Sequence, residues 1–264
     1  KTIPFDDPKT LSLFSSTEGI GLTPEQLQGD QVASLAVPEC GTKFVRGMLE
    51  DSRPQTFSDL VRISGFSHGT NVWLDNAQDL IKNGTCKLNE AISTRDDVMN
   101  FLIHRGMDRK HSFFVMENVR KGKGIEKRNK QGQATTEFEA EMRENNIPEW
   151  FIESCKKISY LFPRAHAVAY VMMAFRIAWF KVYRPLAFYA AYFSIRAKAF
   201  DLRIMTGDLK TQLTEFNRIK ALDRAASPKD KDLMSALEVS MEMYQRGYRF
   251  INVDIQHSEA RRFS

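Results

Sequence analysis

From Ser154 to Phe200 the chain runs for 47 residues without a single Asp or Glu. The same stretch carries Lys156, Lys157, Arg164, Arg176, Lys181, Arg184, Arg196 and Lys198, and it is otherwise apolar and rich in aromatics. A charge run is ordinarily a solvated face. Here the cations sit on a folding apolar block with no local carboxylate to pair with, so an external polyanion is the expected partner. Arg176, Lys181 and Arg184 interrupt the most apolar portion, residues 165–195, which argues against a membrane-spanning helix.

The rest of the composition fits a globular protein. Of 264 residues, 42% are hydrophobic and 27% charged, with a formal net charge of +5. That length allows one large domain or two small ones. Cys40, Cys86 and Cys155 lie far apart with no Cys-x-x-Cys pair, which excludes a disulfide framework or a Cys-rich zinc site and fits a reducing, cytoplasmic setting. The N-terminal residues carry no signal pattern, and the first residue is not Met, so a segment of a longer chain is expected.

Helix signals dominate. Apolar spacing predicts helices over 10–16 and 42–50. Thr56 with Asp59 and Thr94 with Asp97 read as helix starts, with acidic residues favouring the first turn. Further helices are expected over 111–121, 138–145 and 148–160, then from Pro163 to Tyr183, where Pro is tolerated at a first turn. Pro185 ends that helix and starts another reaching about 198. Residues 207–224 and 228–247 read as amphipathic helices. The polar, aperiodic stretch 125–137 reads as a mobile loop, and the alternating tail 248–255 as a short strand. The fold class expected is mainly α, a multi-helix domain with irregular loops.

Several motifs bear on chemistry. Gly65-Phe-Ser67-His-Gly69 has the spacing of a serine-hydrolase nucleophile elbow, but that motif needs a strand before it and a helix after it. Here a capped helix precedes, so a hydrogen-bonding turn is expected. Asp6-Asp7 and Asp96-Asp97 are adjacent pairs, Asp230 and Asp232 sit at a helix start, and the five His are scattered, so no metal set is expected. Phe162-Pro-Arg164-Ala-His166 places a cation and an imidazole at a helix tip, where free N–H groups and the dipole favour phosphate. Tyr170 follows His166 by four residues on the same face. Arg120-Lys-Gly-Lys-Gly sets Lys121 and Lys123 beside glycines that let the backbone approach an anion, although the P-loop pattern is absent. Lys127, Arg128 and Lys130 extend this second basic cluster, opposed only by Glu126.

Taken in order, the motifs Ile3-Pro-Phe-Asp-Asp-Pro, Leu13-Phe-Ser-Ser-Thr-Glu, Pro38-Glu-Cys-Gly-Thr-Lys-Phe-Val-Arg, Val61-Arg-Ile-Ser-Gly-Phe-Ser-His-Gly-Thr, Asn76-Ala-Gln-Asp-Leu-Ile, Arg95-Asp-Asp, Val119-Arg-Lys-Gly-Lys-Gly and Pro163-Arg-Ala-His-Ala-Val-Ala-Tyr resemble the PolC-type replicative DNA polymerase III of low-GC Gram-positive bacteria. The resemblance covers essentially the whole chain. It departs at residues 125–137, which are longer than the usual connection, and at Arg164, where Lys is more usual and hydrogen-bond geometry therefore differs.

The resemblance implies a fingers region over residues 1–206 and a helical connector over 207–264. It implies that the catalytic aspartates and their Mg2+ belong to a palm outside this segment. Arg95, Lys121, Lys123, Arg164 and His166 become candidates for contact with the triphosphate of a dNTP or with template backbone. Ser64, Phe162, His166 and Tyr170 become candidates for the wall around the nascent base pair. The implied partners are dNTP, primer–template DNA and the remaining polymerase chain with its palm and clamp-binding region, with no membrane; the segment alone would be inactive. The competing reading is a non-enzymatic helical DNA-binding module.

Overall fold

The computed structural model describes residues 3–254, 256, 258, 259, 262 and 263. In chain order the helices are α1 (Pro8–Ser12), α2 (Lys43–Ser52), α3 (Phe57–His68), α4 (Gln78–Lys82), α5 (Arg95–His104), α6 (Arg109–Arg120), α7 (Phe138–Glu144), α8 (Glu149–Lys157), α9 (Arg164–Tyr183), α10 (Pro185–Ala191), α11 (Leu202–Met205), α12 (Leu209–Leu222) and α13 (Pro228–Gln245). The fold is mainly α. Pairing between extended segments among the described residues is limited to isolated bridges, such as Thr70 with Tyr160.

Local chemistry places the helix ends. Thr56 and Asp59 close a reciprocal capping box at α3, and Ser227 with Asp230 does the same at α13. Asp208 accepts the Thr211 N–H at the start of α12. Pro185 occupies the first position of α10, where its missing N–H costs nothing. Several expectations change: the α-helix expected to reach 160 stops at Lys157, the one expected to reach about 198 stops at Ala191, and two further segments read differently. Gly65-Phe-Ser-His is the last turn of α3 rather than a turn between elements, since the apolar face of that helix continues through the buried Phe66. Residues 248–254 form no strand, having no extended partner among the described residues; Ile255 lies outside them.

The chain divides into two compact units, residues 1–53 with 174–264, and residues 54–173. In the first, Phe188, Phe193, Met205, Phe216, Leu237 and Tyr244 are among the buried residues of one apolar cluster. Polar side chains stitch its helices: Gln212 donates to the Met205 carbonyl at 3.1 Å, and the Ser240 hydroxyl donates to Gln212 at 2.7 Å. In the second, α5 and α6 pack together, Phe101 stacks on Phe151 at 4.2 Å, and Phe66 meets Trp73 at 5.2 Å.

By length and composition alone α9 is apolar enough to cross a membrane. Its residues from 174 onward are used differently. Phe175 packs against Phe5 and Phe14, with ring centroids 5.7 and 6.2 Å away. Lys181 is fully buried, donating to the Glu242 carboxylate at 2.8 Å and to the carbonyls of Ala33 and Leu35 at 2.8 and 2.6 Å. The other oxygen of Glu242 accepts from the Tyr189 hydroxyl at 2.7 Å, which in turn accepts from Arg246 at 3.0 Å. A buried charge left without its partner is strongly destabilising.

Burial draws the Lys181 amine down to about 8, against the pull of Glu242. The unfolded chain therefore binds the extra proton between pH 8 and 10, so stability from this group rises with pH across that window. Urea unfolding at stepped pH checks both points. Lys181→Met removes the rise, and Glu242→Ala lowers stability at neutral pH by about 3–5 kcal/mol.

Candidate functional site

A short extended run, Ser159–Phe162, organises the residues singled out above. Thr70 N–H donates to the Tyr160 carbonyl and Ser159 N–H to the Thr70 carbonyl, both at 3.0 Å. Leu161 N–H reaches the Arg120 carbonyl at 3.4 Å, and Arg95 N–H donates to the Phe162 carbonyl at 3.2 Å. The end of α3, the start of α5 and the end of α6 are thus tied to one strand of backbone. Two glycines permit the approach. A Cβ on Gly65 would lie 2.6 Å from the Ser93 carbonyl, and one on Gly122, whose φ is +65°, would lie 2.6 Å from the Ser159 carbonyl.

Pro163 then sets the backbone for α9, and its carbonyl accepts from Ala167 at 3.1 Å. The tip of α9 is not the open anion site that the sequence suggests. Arg164 N–H donates to the Asp96 carboxylate at 2.9 Å, so one first-turn donor is already satisfied. The Arg164 guanidinium, 43% exposed, lies 3.7 Å from Asp97. Asp97 is the better-buried partner. One of its oxygens accepts from the backbone and hydroxyl groups of both Ser93 and Thr94 at 2.7–3.0 Å, and it stands 3.6 Å from Arg62.

An aromatic surface lies beside this tip. His68 stacks on Phe162 at 4.7 Å, with Tyr170 at 6.2 Å from His68 and 6.3 Å from Phe162. The His166 ring meets Phe162 edge-on at 5.9 Å and Tyr170 at 6.3 Å. His166 and Tyr170 are exposed, whereas Phe162 and His68 are half-buried. Ser64 is buried, and its hydroxyl has no hydrogen-bond partner among the described residues. Its carbonyl accepts from the Ser67 hydroxyl at 3.0 Å and lies 2.8 Å from His68 Nδ1, so Ser67 is bonded into its helix rather than presented on a strained elbow.

The remaining cations differ. Lys121 is tied to Glu117 at 2.9 Å, and Arg120 grips the same carboxylate at 2.8 and 2.9 Å. These hydrogen bonds, Arg120 first, hold the Glu117 carboxyl down to about 2. Lys123 is exposed, and the Arg95 side chain is half-buried; neither makes an ion pair among the described residues. Ser64, His68, Arg95, Phe162, Arg164, His166 and Tyr170 are therefore brought around the Ser159–Phe162 run, while Lys121 is occupied and Lys123 points to a neighbouring cleft with Lys127 and Arg128. No three His, Cys, Asp or Glu side chains gather as a metal set among the described residues, and Asp96 and Asp97 are both engaged in capping.

A model of the bacterial DNA polymerase III alpha subunit finger domain matches residues 1–146. The chain belongs to that family. Along its whole length it is 54% identical to the PolC-type DNA polymerase III of Caldanaerobacter subterraneus subsp. tengcongensis and 51% identical to that of Bacillus subtilis. It is 54% identical over 99% of its length to the PolC-type enzyme of Thermotoga maritima. In each case it spans 18% of the relative's length.

In this finger-domain chain, sequence reasoning missed His68, Asp96 and Asp97. The capping signal at Thr94–Asp97 was visible; that its carboxylate also faces Arg164 is a tertiary fact. The acid-free block also finds partners from elsewhere: Lys156 pairs with Glu139 at 2.8 Å, Arg164 with Asp97 and Lys181 with Glu242.

The tight approach of α3 to Ser93 gives a direct test. Gly65→Ala forces backbone apart and is expected to lower stability by roughly 1–3 kcal/mol, while Asp97→Ala, which strips the cap from Thr94, costs about 1–2 kcal/mol. Thermal unfolding reads both, and an Ala at position 65 with unchanged melting would contradict the packing described.

Proposed function

We propose that this finger-domain chain positions an incoming deoxynucleoside triphosphate and the templating base within a replicative DNA-directed DNA polymerase. The observation that carries the reading is an exposed ring pair, His166 and Tyr170, in the first turns of the helix whose first residue, Arg164, keeps an accessible guanidinium, with Arg95 tied by its backbone to the residue before Pro163. Rings at that spacing offer a nucleobase a surface to stack on. Arg164 offers a fork of donors suited to phosphate oxygens, held in place by Asp97 but still accessible. Lys123 and Lys121 would serve the triphosphate or the template backbone, with Lys121 first exchanging its contact to Glu117. The buried Ser64 would support the wall behind Phe162 and Tyr170.

The chemistry itself is assigned to the rest of the enzyme. Nucleotidyl transfer needs Mg2+ held by a carboxylate pair; Asp96 and Asp97 beside this site are engaged in capping, and this reading assigns the metal to a palm outside the segment. The contribution here is orientation of the substrate and neutralisation of phosphate charge as the fingers close. Residues 1–206 would be the fingers proper and 207–264 the connector leaving them. Primer–template DNA, dNTP, the palm and the clamp-binding region are the partners, in the cytoplasm, and the segment alone is expected to be inactive.

In the full-length polymerase, Arg164→Gln and His166→Ala should raise the nucleotide KM or lower kcat by about tenfold or more, with primer–template affinity largely kept. Steady-state incorporation measured beside DNA binding decides the matter. Equal loss of DNA affinity with no specific nucleotide effect would favour a plain DNA-binding module.

A further inference from the structure

The polar stretch after Arg120-Lys-Gly-Lys-Gly is expected from sequence to be a mobile loop, and the reading above gives it no role. The structure shows a closed hairpin. Arg128 and Ala134 form an antiparallel bridge, and Thr135 N–H donates to the Lys127 carbonyl at 2.8 Å. Asn129 closes the tip: its N–H donates to the Gln133 carbonyl at 3.0 Å, and its side-chain oxygen accepts from Gln131 and Gln133 N–H at 3.0 and 2.9 Å. Gly132 supplies the left-handed residue at φ +81°. The base is anchored by Ile125, which is buried and whose carbonyl accepts from Asn118 at 3.0 Å.

Charge on this hairpin is one-sided for a structural reason. Glu126, the one acidic residue between Arg120 and Thr136, faces inward. Its carboxylate accepts from the Thr136 hydroxyl at 2.6 Å and from the Phe138 and Glu139 N–H groups at 3.0 and 2.7 Å, capping α7. Glu137 lines a different cleft, with His111 and Glu141. Lys127 lies over the Phe114 ring at 3.3 Å, and Arg128 donates to the Gly132 carbonyl at 2.8 Å, which holds it extended along the hairpin. Lys123, Arg128 and Lys130 are exposed, and none makes an ion pair among the described residues. Lys123, Lys127 and Arg128 line one open cleft with Asn118, Thr135 and the half-buried Glu126, whose carboxylate is taken up by the Thr136 hydroxyl and the N–H groups at the start of α7.

We infer that the hairpin over residues 127–135 is a DNA-backbone contact, separate from the nucleotide site, in which Arg128 and Lys130 take phosphates of the bound DNA. Three features favour a polyanionic strand over a free nucleotide. Arg128 and Lys130 follow one another along the hairpin and only Arg128 reaches the cleft that Lys123 and Lys127 line, no exposed ring of the hairpin offers a base platform, and side chains from a turn reach phosphates without reading sequence. The inference rests on the reading of this chain as part of a DNA polymerase.

The test uses full-length polymerase, a labelled primer–template and anisotropy titrations between about 50 and 200 mM salt. Lys130→Gln, which breaks no contact within the hairpin, should weaken DNA binding about threefold and flatten the slope of log affinity against log salt by about 1. Arg128→Gln with Lys130→Gln should flatten it by about 2, and Lys130→Arg should restore both affinity and slope. Unchanged affinity and slope in the double variant overturn the inference. So does a raised nucleotide KM with unchanged DNA affinity, which would assign the hairpin to the nucleotide. If Arg164→Gln leaves nucleotide KM unmoved while Lys130→Gln still flattens the slope, the nucleotide-site reading fails and the hairpin contact stands.

Discussion

Four residues of extended backbone, Ser159–Phe162, hold the open face of the second unit together. Buried main-chain groups must find partners, and this run has no helix or sheet of its own to supply them. It takes them from Thr70, Arg95 and Arg120, which follow α3, begin α5 and end α6. The consequence is geometric. Wherever α9 begins, those three helix ends must also be, because Pro163 starts the helix directly after the run. The two glycines beside it, Gly65 and Gly122, are required by contact distance rather than by turn type alone. A side chain at either position would push backbone from backbone, and no rotamer change could relieve it.

The helices were largely legible because their ends are written locally. Thr56 with Asp59, Ser227 with Asp230, and Pro185 each mark a boundary through interactions within four residues. The ring face of α9 was legible for the same reason: once Pro163 sets the start, His166 and Tyr170 must share a side. What could not be read was anything set by distant partners. His68 joins Phe162 only because Thr70 pairs with Tyr160. The hairpin over 127–135 has no apolar period, and its order comes from one Asn side chain and one left-handed Gly.

The acid-free block shows how a correct count can carry a wrong step. Absence of nearby carboxylates in sequence says nothing about carboxylates brought by folding. Lys181 and Arg164 lie on the same helix, yet one is fully buried against Glu242 and the other stands half-exposed against Asp97. The first contributes to the specificity of packing in its unit, since an unpaired charge there is not tolerated. The second keeps donors to spare.

That contrast bears on how much anion the site can take. Around the tip of α9 stand Arg62, Arg95 and Arg164, opposed by Asp96 and Asp97. The balance is about one positive charge, and the carboxylates are fixed by the caps they make, so they cannot withdraw. A triphosphate carries several negative charges, more than this face can neutralise. Under the proposed reading, the remaining positive charge would come from Lys121 and Lys123 and from outside the segment. On that reading, metal ions held by a carboxylate pair elsewhere in the polymerase would add to it at the reacting phosphate, where charge develops in the transition state. The rings and Arg164 would then govern where the substrate lies, and the chemistry would depend on what the rest of the polymerase brings to it.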